Sequence, residues 1–189
     1  MAGALVLALY RDRREREERR ASALRGSFLH GSPLGGYAPA RGLSELQAPG
    51  DLLRFRLPSG WSGGFEDPAT ASFDCGSGRR LRLDLLALEQ PQASRQTLLD
   101  SLGAMKPEPE RSLETLPNDS LLLKYLETRG QRPDQQIVFC WQLAGLLSSP
   151  QARMAVFAFS VPAEQAGEVF VQADLALLDR EIRAAAFGD

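Results

Sequence analysis

Residues 54–67 read RFRLPSGWSGGFED, with Gly60, Gly63 and Gly64 crowded around Trp61. Glycines after a strand can cradle phosphate on their backbone N–H groups. A P-loop also needs a Lys-Ser/Thr pair after its last glycine, and none follows Gly64. A dinucleotide loop needs Gly-x-Gly-x-x-Gly opening a helix, and the spacing 60, 63, 64 does not supply it. The glycines therefore read as a bend between two strands. Trp61, inside that bend, either caps the edge of a core or forms an exposed contact.

Nucleophilic catalysis needs a nucleophile, a base and a group that orients the base. The thiols are Cys75 and Cys140, and the one imidazole is His30, in a glycine-rich stretch. By strand parity Cys75 faces a core beside Phe73, where cysteine acts as a small hydrophobe, although Arg79 and Arg80 lie close in sequence. Neither cysteine has a second Cys or a His at metal-ligand spacing. Glu66, Asp67 and Asp74 are close together but lack the Asp-x-Asp-x-Asp-Gly pattern of a calcium loop. The sequence therefore assigns no catalytic residue, no metal site and no cofactor.

Charge narrows the partner classes. The 189 residues carry a formal charge of −2. Residues 1–30 hold seven Arg against four acids, +3, while the rest holds 15 basic and 20 acidic groups, −5. A basic end with interleaved acids does not make a nucleic-acid surface, because the acids cancel much of the phosphate attraction.

The chain opens MAGALVLALYRDRREREERR, a short apolar run followed by ten charged residues. Secretory signals place their charge before the apolar run, and a membrane span needs roughly 20 residues. Two readings stay open for residues 1–25. One is a soluble helix with Asp12–Arg16 and Glu15–Arg19 pairs. The other is the end of a membrane anchor with its Arg cluster on the cytoplasmic side, giving membrane association through residues 1–20. With no recognisable secretion signal, the expectation is a domain in the cytoplasm or on the cytoplasmic face of a membrane.

Residues 26–50 contain Gly26, Gly31, Pro33, Gly35, Gly36, Pro39, Gly42, Pro49 and Gly50, and read as a linker holding a solvated His30. From residue 51 to 189 the pattern is that of a folded domain. Leu53, Phe55 and Leu57 alternate with Arg54 and Arg56. Ala71, Phe73 and Cys75 form a second run, and Leu81, Leu83 and Leu85 a third, with Gly76-Ser77-Gly78 between them as a hairpin turn. Ser94 caps a helix carrying Leu98, Leu102 and Met105, which Lys106-Pro107 ends. Leu121–Leu126 is apolar on both parities and reads as a central strand or a short helix. Ile137, Phe139, Trp141 and Leu143 form the next strand; Ser148-Ser149-Pro150 turns the chain, and Phe157, Phe159 and Val161 follow. Val171, Leu175, Leu178 and Ile182 stripe a closing helix, with Gln172, Asp179 and Arg183 on its other faces.

Short connections make most strand pairs antiparallel. The expectation is an α+β fold: a two-layer or three-layer sandwich with a mostly antiparallel sheet of about six strands, two main helices and an N-terminal helix.

The opening FRLPSGW, the hairpin TASFDCGSGRRLRLDLLAL, the meander QQIVFCWQLAGLL…RMAVFAFSV and the closing helix DLALLDREIRAAAF together resemble a PsbP-like domain over roughly residues 51–187. Such domains serve as a photosystem extrinsic protein, a Ran-binding import factor and bacterial lipoproteins. The resemblance implies a non-catalytic binding or assembly domain with a protein partner. It supplies no catalytic motif to carry over, and the lipobox Cys and import peptide of some members have no counterpart here. Candidate contact residues are Trp61 and, on the polar side of the third strand, Arg80 and Arg82. The rival expectation is a small-molecule-binding or enzymatic α+β domain with a pocket between helix and sheet.

Overall fold

The computed structural model describes residues 22–31, 42–88, 94–105, 110–131, 133–146 and 152–188. The fold is α+β. Nine strands run in the order β1 (Leu43–Gln47), β2 (Arg54–Pro58), β3 (Ser62–Phe65), β4 (Thr70–Gly76), β5 (Arg79–Leu88), β6 (Arg111–Thr115), β7 (Leu121–Arg129), β8 (Gln136–Leu146) and β9 (Ala152–Pro162). Helix α1 occupies 22–30, α2 is Arg95–Met105 and α3 is Val169–Arg183.

β1 and β2 form a two-stranded sheet, and the other seven strands form one sheet in the order β3-β4-β5-β9-β8-β7-β6. Every neighbouring pair is antiparallel. The sheet is two meanders, β3-β4-β5 and β6-β7-β8-β9, closed along the β5–β9 seam. By that alternation β5 and β6 run the same way from mid-sheet to far edge. Their connection must cross over β9, β8 and β7, and a helix is the usual way to do this. Ser94 starts that helix: its Oγ accepts the Thr97 backbone N–H at 3.1 Å. Leu98 and Leu102 then bury against Leu121, Leu123, Val138, Cys140 and Met154. The side chain of Met105, residues 106–109 and the turn at 148–150 lie outside the described residues.

The opposite face carries the larger core. Leu81, Leu83, Phe139, Trp141, Phe157 and Phe159 meet Val171, Leu175, Leu178 and Ile182 of α3. The same layer holds Leu53, Phe55 and Leu57 of β2 and Leu24, Phe28 and Leu29 of α1. The sandwich thus has three layers, and this explains the doubly apolar Leu121–Leu126. Leu122 faces α3 and Leu121 and Leu123 face α2, so both parities are buried and the segment is a strand.

Three strands escape the sequence reading. β1 lies inside the stretch read as linker, where α1 also ends. β3 is SGGF, within the glycine bend, and β6 is RSLET. Each has only four or five residues and too little alternation to show a period. Residues 1–21, with the apolar run and the Arg cluster, lie outside the described residues. Among the described residues no helix is long and apolar enough to cross a membrane.

Candidate functional site

A pocket of about 440 Å³ opens at the β6–β7 edge, on the α3 side of the sheet. Its lining comes from three places: Leu29, His30 and Gly31 at the end of α1, Ser112 and Glu114 on β6 with Lys124 on β7, and Arg183 in the last turn of α3. Register explains the floor. Ser112 pairs with Lys124 and Glu114 with Leu122, so these side chains share the face of Leu122. β6 is the edge strand, which leaves the pocket open on that side.

Lys124 is the one charge within LLLKYL, and its residue is only 2% exposed. A buried ammonium needs a counter-charge. Its Nζ lies 3.3 Å from Oδ1 of Asp179 and 5.3 Å from the centre of the Phe28 ring. That carboxylate is the hub of the site. Its Oδ1 also accepts the Trp141 indole N–H at 2.9 Å, and its Oδ2 accepts Arg183 Nε at 2.7 Å. Arg183 then forks onto Glu114 through bonds of 2.9 and 2.7 Å.

The electrostatics follow from these contacts. Burial pushes the Asp179 carboxyl up. The Lys124 charge and the bonds from Arg183 and Trp141 outweigh burial, and Asp179 is held below its ordinary value of 3.8. Arg183 is raised, first by its bonds to Glu114 and then, against burial, by Asp179. Two cations and two carboxylates interlock, so the floor is rigid and locally neutral. The Ser112 hydroxyl and the His30 ring make no hydrogen bond among the described residues, and Lys124 keeps ammonium protons beyond the one aimed at Asp179.

Sequence reasoning missed five of these residues: Ser112, Glu114, Lys124, Asp179 and Arg183. The sequence places Asp179 on a face other than the apolar stripe of α3; the residue is 6% exposed and meets Lys124 and Trp141 of the sheet. A lone charge in a doubly apolar strand was the available signal for Lys124. Asp179–Arg183 is an i,i+4 pair, which on its own reads as a surface contact. His30 is not a linker residue. It ends α1 and is carried to the pocket because Leu24, Phe28 and Leu29 anchor that helix.

The residues singled out from sequence are not brought together. Trp61 is half-buried and stacks on Phe159, with ring centres 6.1 Å apart and planes 4° from parallel. It packs against the α3-side core. Arg80 and Arg82 are exposed on the other face, where their strand neighbours are Ser160 and Ala158. Arg82 is turned onto Asp84, at 2.8–3.0 Å.

Cys75 is buried in the α3-side core and Cys140 in the α2-side core, so the sheet separates them and neither forms a disulfide. Burial, helped by the charge of Asp174, pushes the Cys75 thiol up to about 12, which leaves it protonated and unreactive. The acids near the glycine bend shape turns. Asp67 accepts the N–H groups of Ala69 and Thr70, and Asp74 accepts that of Gly76.

No protein-family model and no curated protein matches this chain. Among solved structures, it is similar to a protein from Bacteroides thetaiotaomicron VPI-5482, with 17% identity and a TM-score of 0.44. That similarity covers 67% of this chain and 46% of the other, so the chain spans about half of that protein's length. A second similar structure is the lipid transfer and protein localization domain of human StarD13, with 13% identity and a TM-score of 0.36 over 65% of this chain and 89% of that one.

Proposed function

We propose that the protein is a non-catalytic binding domain that takes a small polar molecule in the pocket between α1, β6–β7 and α3. The observation that carries this reading is the buried Lys124. It is held by Asp179 while still lining an open pocket with Ser112 and His30. A volume of about 440 Å³ lies within the range of roughly 300–1,000 Å³ common for small-ligand sites.

Ser112, His30 and Glu114 include the residue types of a catalytic triad, but they are not arranged as one. Glu114 is taken by the Arg183 fork, and among the described residues no hydrogen bond joins Ser112 to His30 or His30 to Glu114. The resemblance to PsbP-like domains also favours binding over catalysis.

A second reading, a docking domain for a protein partner, draws on the sheet half that α2 leaves uncovered. Arg80 and Arg82 are exposed there.

Titrating the isotope-labelled full chain with pooled small metabolites separates the two. Shifts at the Trp141 indole and at the Ser112 and Lys124 amides are expected. A response confined to Arg80 and Arg82 on adding cell protein, with the pocket silent to every pool, would sink the pocket reading.

A further inference from the structure

We infer that the pocket selects a small monocarboxylate, held by Lys124, Ser112 and His30 with its apolar body against Leu29. This rests on the pocket reading above and adds the ligand class.

The inference starts from what is already committed. Both carboxylates of the site are already paired with protein cations. Asp179 accepts from Trp141, Lys124 and Arg183, and Glu114 takes both arms of the Arg183 fork. Among the described lining residues a cationic ligand would find no unshared carboxylate. Among the same residues, the donors left over are ammonium protons of Lys124, the Ser112 hydroxyl and a ring N–H of His30. Ser112 and Lys124 are register partners on adjacent strands, so both side chains rise from neighbouring positions on one face of the ladder. A hydroxyl and an ammonium lining one pocket can each donate to a single carboxylate.

The same geometry disfavours a phosphate. Recognition of a dianion draws on a guanidinium fork or several unpaired cations. Among the described lining residues, the Arg183 fork is already closed by Glu114, and Lys124 is shared with Asp179. Preorganisation supports a real, if weak, site. Lys124 is fixed by the carboxylate below it and the Phe28 ring beside it, so a ligand orders few side chains on arrival.

The test uses the full 189-residue chain and four probes at matched ionic strength: butyrate, butyramide, butylammonium and inorganic phosphate. The Trp141 indole N–H, which shares Asp179 Oδ1 with Lys124, is the reporter, together with the Ser112 amide. Butyrate should bind with a Kd on the order of millimolar, as befits a six-atom probe, and shift both signals. Lys124→Met should weaken it at least about tenfold, and Ser112→Ala and His30→Gln about threefold each. Should Lys124→Met fail to fold, the two milder variants decide the matter.

Equal binding of butyramide, or tighter binding of phosphate at the same signals, would overturn the carboxylate assignment and leave the pocket reading standing. Silence of both pocket signals to all four probes at tens of millimolar would overturn the carboxylate assignment, and the pooled titration described above then decides the pocket reading.

Discussion

The indole N–H of Trp141 and the ammonium of Lys124 share one oxygen, Oδ1 of Asp179, at 2.9 and 3.3 Å. The three residues come from β8, β7 and α3, so this single atom ties the closing helix to two strands of the sheet. Replacing Asp179 by Asn keeps an acceptor but removes the charge, and Lys124 then stays buried without its partner. Removing one member of a buried pair costs about 3–5 kcal/mol. Asp179→Asn should lower stability by that order, read as a shift in the denaturation midpoint followed by tryptophan fluorescence. Because Asp179 is held below 3.8, its contribution is present above the ordinary carboxylate range and is lost only as pH falls through the lower folded value. The gap between wild type and variant should therefore close in strong acid. A variant as stable as wild type at neutral pH would contradict the assignment.

Asp174 behaves in the opposite sense. Burial raises its carboxyl to about 6, with Arg79 pulling the other way. Arg79 pairs with it, donates to the Cys75 carbonyl at 2.9 Å and lies 4.8 Å over the Phe170 ring. A carboxyl raised in the folded state adds stability that is full below its unfolded value of 3.8 and fades as pH rises through about 6. Asp174→Asn has no such titration. The melting temperature of wild type minus that of the variant should fall between about pH 4 and about pH 7. A flat difference across that window would show that Asp174 titrates normally.

Gly63 sits at φ +133°, and a Cβ there would strike the Ser72 carbonyl and come within 2.9 Å of Phe73 Cα. Gly64, next to it, has open space. Gly63→Ala should cost roughly 1–3 kcal/mol, with faster amide exchange along β3–β4. Gly64→Ala should change stability by less than about 0.5 kcal/mol. Equal effects at the two positions would refute the argument from backbone geometry.

Trp61 stacks on Phe159 at the edge of the α3-side core, while the pocket lies across the sheet beyond β8. Trp61→Ala should cost about 1–3 kcal/mol, below the loss for a fully buried Trp, and leave butyrate binding unchanged. A stable variant with lost binding would return Trp61 to the role of contact residue.

Local signals made much of the fold legible. The Gly76-Ser77-Gly78 hairpin forms as read because Ser77 and Gly78 take φ of 56° and 76°, the geometry of a tight two-residue turn. The Ser94 cap and the Val171-Leu175-Leu178-Ile182 stripe were equally readable, since both depend on near neighbours along the chain. The short edge strands β3 and β6 were not. An edge strand of four or five residues owes its conformation to the strand it pairs with.

By itself, the sequence determined which segments alternate, where turns and caps fall, and that two helices must cover an antiparallel sheet. Periodicity and capping are local physics, written within a few residues. Only the tertiary structure decided that Leu121–Leu126 is buried on two sides, that Arg80 and Trp61 point to opposite faces, and that Lys124, Asp179, Arg183, Glu114, Ser112 and His30 meet. Asp179 and Lys124 lie 55 residues apart, and no local rule pairs them. They are joined because burying a charge requires a counter-charge, and only the packing of α3 on β7 determines which one arrives.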